Sequence, residues 1–165
     1  QIHASTERGE TYTGWLRGVY PVRATAEAAL ERGDLFIEEA DGQPVGTAII
    51  NRIQVDVYQN AEWQYSVPDD QIMVLHTLVI DPRAKGRGLG RALVDYYEQT
   101  ARDCGCRYLR MDTNALNANA RAFYRKLNYR EIGIQHCDFN GISGIDLVLL
   151  EKPLFCPEGK NRKNC

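Results

Sequence analysis

The segment IMVLHTLVI, residues 72–80, is apolar at every position except His76 and Thr77. A strand with one wet face alternates apolar and polar residues, so a run of this kind belongs inside a sheet covered on both sides. It ends at Asp81-Pro82, where proline has no amide hydrogen to give to a strand ladder. Beyond it, RAKGRGLG is a turn of glycines and cations. A helix follows, with Leu89, Leu93, Tyr96 or Tyr97, and Ala101 along its apolar stripe and Arg91, Asp95, Glu98 and Arg102 left for water. A buried strand feeding an amphipathic helix requires layers of both kinds, so the fold class is α/β or α+β.

The rest of the chain reads in the same terms. ATAEAALER, residues 24–32, is rich in helix formers and closes on Gly33, which predicts a helix with a glycine cap. WLRGVYP, just before it, predicts the end of an earlier short helix at the Tyr20-Pro21 break. LFIEEA and VGTAIINRIQV flank the turn sequence DGQP and predict an antiparallel hairpin. Residues 59–70 read as a loop. RYLRMDT (107–113) reads as a strand, ANARAFYRKL (118–127) as a helix, and YREIGIQ and ISGIDLVLLEK as two further strands. Hairpins surround a stretch where strands and helices alternate, so the sheet is mixed and mostly antiparallel, with helices flanking it.

At 165 residues the chain fits one domain whose core needs neither disulfides nor a metal. The expected division is one domain over residues 1–155 and a polar, fraying tail, CPEGKNRKNC, over 156–165. The 20 basic residues face 22 acidic ones, a formal net charge of -2, so no global field draws nucleic acid or an anionic membrane. Any anion site must be local. No stretch approaches the length of an apolar membrane span, and the start QIHASTERGE has no apolar signal core. Cys104, Cys106, Cys137, Cys156 and Cys165 show neither C-x-x-C pairs nor zinc-like spacing with histidine. The expectation is a soluble, cytoplasmic chain with free thiols and no metal. Because it starts at Gln1 rather than Met, a short missing leader is expected as well.

The glycine turn is where the chemistry starts. A helix N-terminus carries unpaired N–H groups and about half a positive charge, a ready site for an anion such as phosphate. Glycines at 86, 88 and 90 remove the β-carbons that would hold a ligand off the backbone, and Lys85, Arg87 and Arg91 add charge. A flexible turn with solvated charges is the competing reading. Two nucleotide motifs fail on spacing: no Lys-Ser or Lys-Thr follows the glycines, and they run G-x-G-x-G rather than G-x-G-x-x-G.

LHTLVIDPRAKGRGLGRALV, followed by RYLRMDTNALNANARAFYRKLNYRE, resembles the acetyl-CoA-binding core of the GCN5-related N-acetyltransferases, the GNAT family, over residues 72 to 131. Three signals combine: the glycine loop after an apolar strand, an asparagine at 117, and AFYRKLNY at 122–129. The resemblance implies a single-domain GNAT-like fold whose twisted sheet has a central pair of strands splayed apart. It implies that backbone amides from Arg87 to Arg91 (Arg87, Gly88, Leu89, Gly90 and Arg91), with Lys85 and Gly86 beside them, hold the CoA pyrophosphate. Leu78, Val79 and Ile80 would pair with the pantetheine arm, using a sheet edge opened by a bulge. Lysine at 85 stands where the family has Gln or Arg, so bidentate pairing is lost there. Asn117 aligns with a CoA-contacting asparagine, although a helix cap is the common role of Asn in NALNANA. Asn128-Tyr129 replaces the usual Gly-Phe, and Asn tolerates the left-handed cap conformation that glycine would take.

Tyr124 matches the family's recurrent tyrosine and is the expected general acid, besides contacting CoA; packing beside Phe123 on the helix's inner face is the competing role. Attack on a thioester expels a thiolate, and a phenol can meet its charge, although full transfer to a thiolate of pKa about 8.5 is uphill by roughly 2 kcal/mol. The oxyanion would meet the backbone N–H of Val79, as the resemblance implies. An alkylammonium is neutral in only about a few molecules per ten thousand at pH 7, so a base should stand nearby. His76, on the same strand and expected to share a face with Leu78, is one candidate. Glu62 is another, as are Asp56, Asp69 and Asp70. His136-Cys137-Asp138 is set aside, since neighbours in a strand point to opposite faces.

The expected function is therefore transfer of acetyl from acetyl-CoA to a primary amine by direct attack. The acceptor is a small molecule or a peptide, and a homodimer stays open. An acyl-CoA-binding regulatory module without turnover is the alternative. Acceptor walls are expected around Trp15, Tyr20 and Pro21 and around Tyr58, Glu62, Trp63 and Tyr65.

Overall fold

Among the described residues, six strands form one sheet in the order β1-β2-β3-β4-β6-β5, where β1 is Leu35–Ala40, β2 Gln43–Asn51, β3 Ile72–Ile80, β4 Tyr108–Asn114, β5 Arg130–Phe139 and β6 Ile142–Pro153. The computed structural model describes residues 2–10 and 12–155; Gln1, Cys156, Cys165 and the rest of the predicted tail lie outside them. Only β3 and β4 pair in parallel; the other neighbours are antiparallel. The helices are α1 (Ile2–Glu7), α2 (Arg23–Arg32), α3 (Leu89–Asp103) and α4 (Ala118–Lys126).

Local sequence accounts for the element ends. Gly33 closes α2 at φ 75, and its N–H is given to Leu30. Asp41 and Gly42, both left-handed, turn β1 into β2, as Asn140 and Gly141 turn β5 into β6. Asn128 takes φ 66 after α4, the cap conformation that the chain's departure from glycine still allows. Residues 17–19 form a turn and Tyr20 a bend, rather than the helix end read from the sequence, and Tyr20-Pro21 is a cis peptide. Strand β2 stops at Asn51, short of the predicted run to Val55, because the Asn51 side chain takes the Ile53 N–H and bends the chain away.

The apolar run of β3 lies third in the sheet. Met73 and Leu75 join a cluster with Leu93, Val94, Tyr97 and Ala101 of α3, whereas Ile72 and Val74 join Tyr58, Tyr108, Leu147 and Leu149 on the opposite face. Tyr97, fully buried, sends its hydroxyl to the Met73 carbonyl at 2.7 Å, with the Arg110 carbonyl 3.1 Å away, tying α3 to both central strands. Glu98, expected in water, is buried: Lys152 Nζ reaches its Oε1 at 2.7 Å and the Tyr129 hydroxyl donates to the same oxygen at 3.1 Å. On the other face Arg110 donates to Glu151 at 3.1 Å, to Gln54 at 2.6 Å and to the Tyr65 carbonyl at 2.9 Å, and it stacks over Trp63. That clasp holds the 56–70 segment against the sheet.

Candidate active site

Strands β3 and β4 pair only from Ile72↔Tyr108 to Leu75↔Met111. Beyond Leu75 they part, which is the splay expected from the sequence. Its cause is at Thr77, which takes φ 49 while the β2 register slips between Thr47 and Ile49: two residues of β3 oppose one of β2. The same bulge overturns one expectation. Leu78 and Ile80 pack with the α3-side cluster of Met73 and Leu75, whereas His76 continues the row of Ile72 and Val74, so His76 and Leu78 do not share a face. The side chain of Thr77 is held by the Tyr20 hydroxyl at 2.5 Å.

Past the bulge, Asp81 N–H bonds to the Val45 carbonyl of β2 at 2.7 Å. Strand alternation turns Val79, in register with Thr47, to the same edge and leaves the amides of Leu78 and Ile80 toward the gap. The expected oxyanion donor, Val79 N–H, therefore faces β2 rather than the gap.

Helix α3 begins beside the end of β3: a β-carbon at Gly90 would touch Phe123 at 3.6 Å and Ile80 at 3.7 Å. Gly88 caps the helix at φ 79, and its carbonyl takes the Arg91 and Ala92 amides at 3.0 and 3.1 Å. Arg91 N–H is thus occupied, contrary to the expected donor range. The amides of Gly86, Arg87, Gly88, Leu89 and Gly90 have no acceptor among the described residues. Added β-carbons at Gly86 and Gly88 would meet nothing, so the turn is open to a ligand. Arg87 pairs with Asp41 at 2.9 Å on the surface, Arg91 with Asp95 at 2.8 Å, and Lys85 is exposed.

A cleft of about 390 Å³ occupies the splay. Leu75, His76, Thr77 and Leu78 form its β3 side, Asp112, Thr113 and Asn114 its β4 side, and Asn117, Ala120 and Tyr124 close one end. Tyr124 is 7 % exposed, packs on Phe123 and Tyr129, and its hydroxyl has no hydrogen-bond partner among the described residues. Burial raises its pKa, and the charge of Asp112 raises it further, so it stays a proton donor at neutral pH. Asn117 performs the cap role: its Oδ1 accepts the Ala120 amide at 3.1 Å while the residue lines the cleft.

The base candidates separate. His76 Nε2 lies 3.0 Å from Asn51 Oδ1. That oxygen also accepts Ile53 N–H, and the Asn51 amide donates to Asp34, so His76 Nε2 carries the proton. Burial pushes the imidazole down to about 4, leaving it neutral but weakly basic. Glu62, Asp56, Asp69 and Asp70 are exposed and do not line the cleft. Nor do Pro21, Trp63, Tyr65 and Tyr58; the far wall is instead Phe139, Asn140, Ile142 and Ile145 of the β5-β6 hairpin. Trp15 and Tyr20 do line it, as expected. Cys106 is buried with its thiol pushed up by desolvation, Cys104 is exposed, and Cys137 lies between, all three free.

Asp112 is the site residue that sequence reading passed over. It follows the last β3-β4 pair, and burial pushes its carboxyl up to about 6, against the lowering effect of the Tyr58 hydroxyl that donates to Oδ2 at 2.8 Å. A signal existed in YLRMDTN. Leu109 and Met111 serve the α3-side core, leaving Tyr108, Arg110, Asp112 and Asn114 on the other face, three of them polar and each needing a partner.

Strands parted around a cleft that Tyr124 lines, and a separate glycine turn of unbonded amides at the start of α3, define a mixed α/β domain. The chain belongs to the acetyltransferase (GNAT) family, whose profile its residues 4–129 match. It is 27 % identical over 96 residues to an uncharacterised N-acetyltransferase from Methanocaldococcus jannaschii, covering 58 % of this chain and 38 % of that protein. To an aminoglycoside N(6')-acetyltransferase type 1 from Stenotrophomonas maltophilia it is 30 % identical over 108 residues, 65 % of this chain and 66 % of the other. The chain thus spans less than two thirds of either relative. The fold is similar to that of an acetyltransferase-like protein from Salmonella typhimurium solved with acetyl-CoA, at TM-score 0.59 and 18 % identity over 84 % of this chain and 75 % of that one. Among the described residues no helix is long and apolar enough to cross a membrane, and no His, Cys, Asp and Glu cluster could hold a metal ion.

Proposed function

We propose that this protein is an acetyl-CoA-dependent N-acetyltransferase that acts on a primary amine by direct attack. Family membership supports it, and the observation that carries it is the separation of β3 from β4 after Leu75 and Met111, with Tyr124 lining the cleft there. Acetyl-CoA supplies the activated acyl group as a thioester. The amides of Gly86 to Gly90 hold the diphosphate, aided by Lys85, Arg87 and Arg91. The open edge of β3 at Leu78 and Ile80 receives the amide-bearing arm as a neighbouring strand would. Leu78 N–H, at the bulge, takes the oxyanion role in place of Val79. Tyr124 meets the departing thiolate with its proton, and Asn117 braces the start of α4 that carries Tyr124.

The acceptor enters from the side of Trp15, Tyr20 and the β5-β6 hairpin, and is a small molecule or a peptide amine. The three free thiols favour a reducing, cytoplasmic setting. Calorimetric titration with acetyl-CoA and thiol release over a panel of primary amines test the reading. Saturable binding with amine-dependent thiol release is expected; absence of binding at millimolar acetyl-CoA would refute it. Binding without release from any amine would favour the regulatory alternative.

A further inference from the structure

We infer that Tyr20 is a positioning residue for acetyl transfer: its hydroxyl, reaching from the segment before α2, holds Thr77 in the left-handed conformation that aims the Leu78 amide into the gap. The inference rests on the acetyl-transfer reading above, which gives that amide the oxyanion. Between the pairs Thr47↔Val79 and Ile49↔His76, β2 has one residue, Ala48, where β3 has two, Thr77 and Leu78. The surplus residue is absorbed at Thr77, which sits at φ 49. A glycine takes that conformation freely. A threonine does not, because its β-carbon crowds the carbonyl oxygen that follows, and a branched β-carbon makes the crowding worse.

The hold on Thr77 comes from distant sequence. Among the described residues the Thr77 hydroxyl has one hydrogen-bond partner, the Tyr20 hydroxyl at 2.5 Å, and the Tyr20 hydroxyl has no other. Tyr20 is itself braced. Its carbonyl lies 3.0 Å from His3 Nε2 of α1, and its ring meets Trp15 edge-on with centroids 5.9 Å apart. Its neighbour Val19 stands against the β5-β6 turn, 3.3 Å from where a β-carbon on Gly141 would be. The phenol therefore reaches the bulge from a segment tied to α1 and to the far hairpin, and both hydroxyl-bearing residues line the cleft.

The effect on the chemistry is directional. The peptide between Thr77 and Leu78 follows the left-handed residue, so the torsions of Thr77 set its orientation. Held, it presents the Leu78 N–H to the gap, where the oxygen of a thioester carbonyl gains charge as the amine attacks. Released, Thr77 returns to the extended region, the peptide rotates and that donor is lost. A neutral hydrogen bond shifts such an equilibrium by about threefold to tenfold, the same order as the penalty on a left-handed residue other than glycine, so the bond decides which state prevails.

The test follows thiol release from acetyl-CoA with phenethylamine, glycinamide and spermidine, and uses whichever wild type acetylates fastest. Tyr20→Phe keeps the ring against Trp15 and removes the hydroxyl; Thr77→Val keeps the branch and removes its partner. Each should lower kcat by about threefold to tenfold with calorimetric acetyl-CoA affinity within about threefold, and the two together should cost no more than either alone. In a Thr77→Gly background, where the left-handed conformation carries no penalty, Tyr20→Phe should change kcat by less than about twofold. An undiminished loss in that background makes Tyr20 a residue that touches the acceptor and overturns the inference, as does a wild-type kcat in Tyr20→Phe. The backbone is read without turnover: in isotope-labelled protein, the amide-to-Hα coupling and Cα shift of Thr77 should move toward extended values in Tyr20→Phe. Unchanged values overturn the inference whatever the rates. Acetyl-CoA binding with no acetylation of any of the three amines by wild type overturns it too, while sparing the CoA site. Failure to bind acetyl-CoA removes the parent reading and this one together.

Discussion

The Tyr58 hydroxyl donates to Asp112 Oδ2 at 2.8 Å, joining two residues 54 positions apart in the chain. Tyr58 comes from the 3-10 turn Asp56–Tyr58 beneath the sheet, where Trp63 packs edge-on against it and Trp63 Nε1 donates to its carbonyl at 2.9 Å. The carboxylate is thus buffered between two opposing influences: desolvation, which raises its pKa, and the phenol, which lowers it.

Replacing Tyr58 by Phe removes the lowering influence and keeps the ring. The Asp112 carboxyl should then titrate higher than about 6. The carboxyl's own titration, followed by NMR, should move upward by about one unit for one hydrogen bond to a charged acceptor. A midpoint that does not move would remove Tyr58 from the control of this carboxyl.

The raised carboxyl also links folding to pH. With its folded pKa of about 6 above an unfolded value of about 3.9, the folded state binds the extra proton between those limits, so stability falls as pH rises through that window and the penalty persists above it. Asp112→Asn keeps an acceptor for Tyr58 and abolishes the charge. Its melting temperature should exceed wild type at pH 8, by an amount corresponding to roughly 1–3 kcal/mol, and match it near pH 4. Thermal unfolding at the two pH values measures this; equal shifts at both would contradict it.

Tyr124→Phe should lower kcat by about 100- to 10,000-fold, the range for a lost general acid, with acetyl-CoA affinity within about twofold. The hydroxyl makes no bond within the described residues, so folding should be unaffected. Stopped-flow thiol release and calorimetry together read both quantities, and unchanged turnover would strike the phenol from the mechanism.

At Gly88 the backbone sits at φ 79 with open space where a β-carbon would go. Gly88→Ala therefore strains the left-handed conformation, by about 1 kcal/mol, and puts a methyl where the diphosphate should lie. The KM for acetyl-CoA should rise about tenfold or more with little change in kcat. Gly90→Ala makes the control for strain, because its β-carbon meets Phe123 and Ile80 at ordinary contact distance without positive φ. A wild-type KM in Gly88→Ala would place the diphosphate elsewhere.

Much of this molecule is written in short-range chemistry. The apolar run of β3, the proline that ends it, the stripe on α3, the Asp41-Gly42 turn and the caps at Gly33 and Asn128 each depend on neighbours within a few positions, where propensity and periodicity act. The glycine turn was legible for the same reason, and Tyr124 through the motif around it. Three features were not. The bulge at Thr77 depends on how β2 pairs with β3, and it moved His76 and Leu78 to opposite faces, against simple alternation. Glu98 looked solvated until Lys152 and Tyr129 came to it from the far end of the chain. Asp112 was an ordinary strand residue until β4 left β3 and Tyr58 closed beneath it. Periodicity assigns a residue to a face, but the partner on that face arrives from distant sequence. A carboxylate's environment, and with it its proton affinity, exists only once the chain has packed.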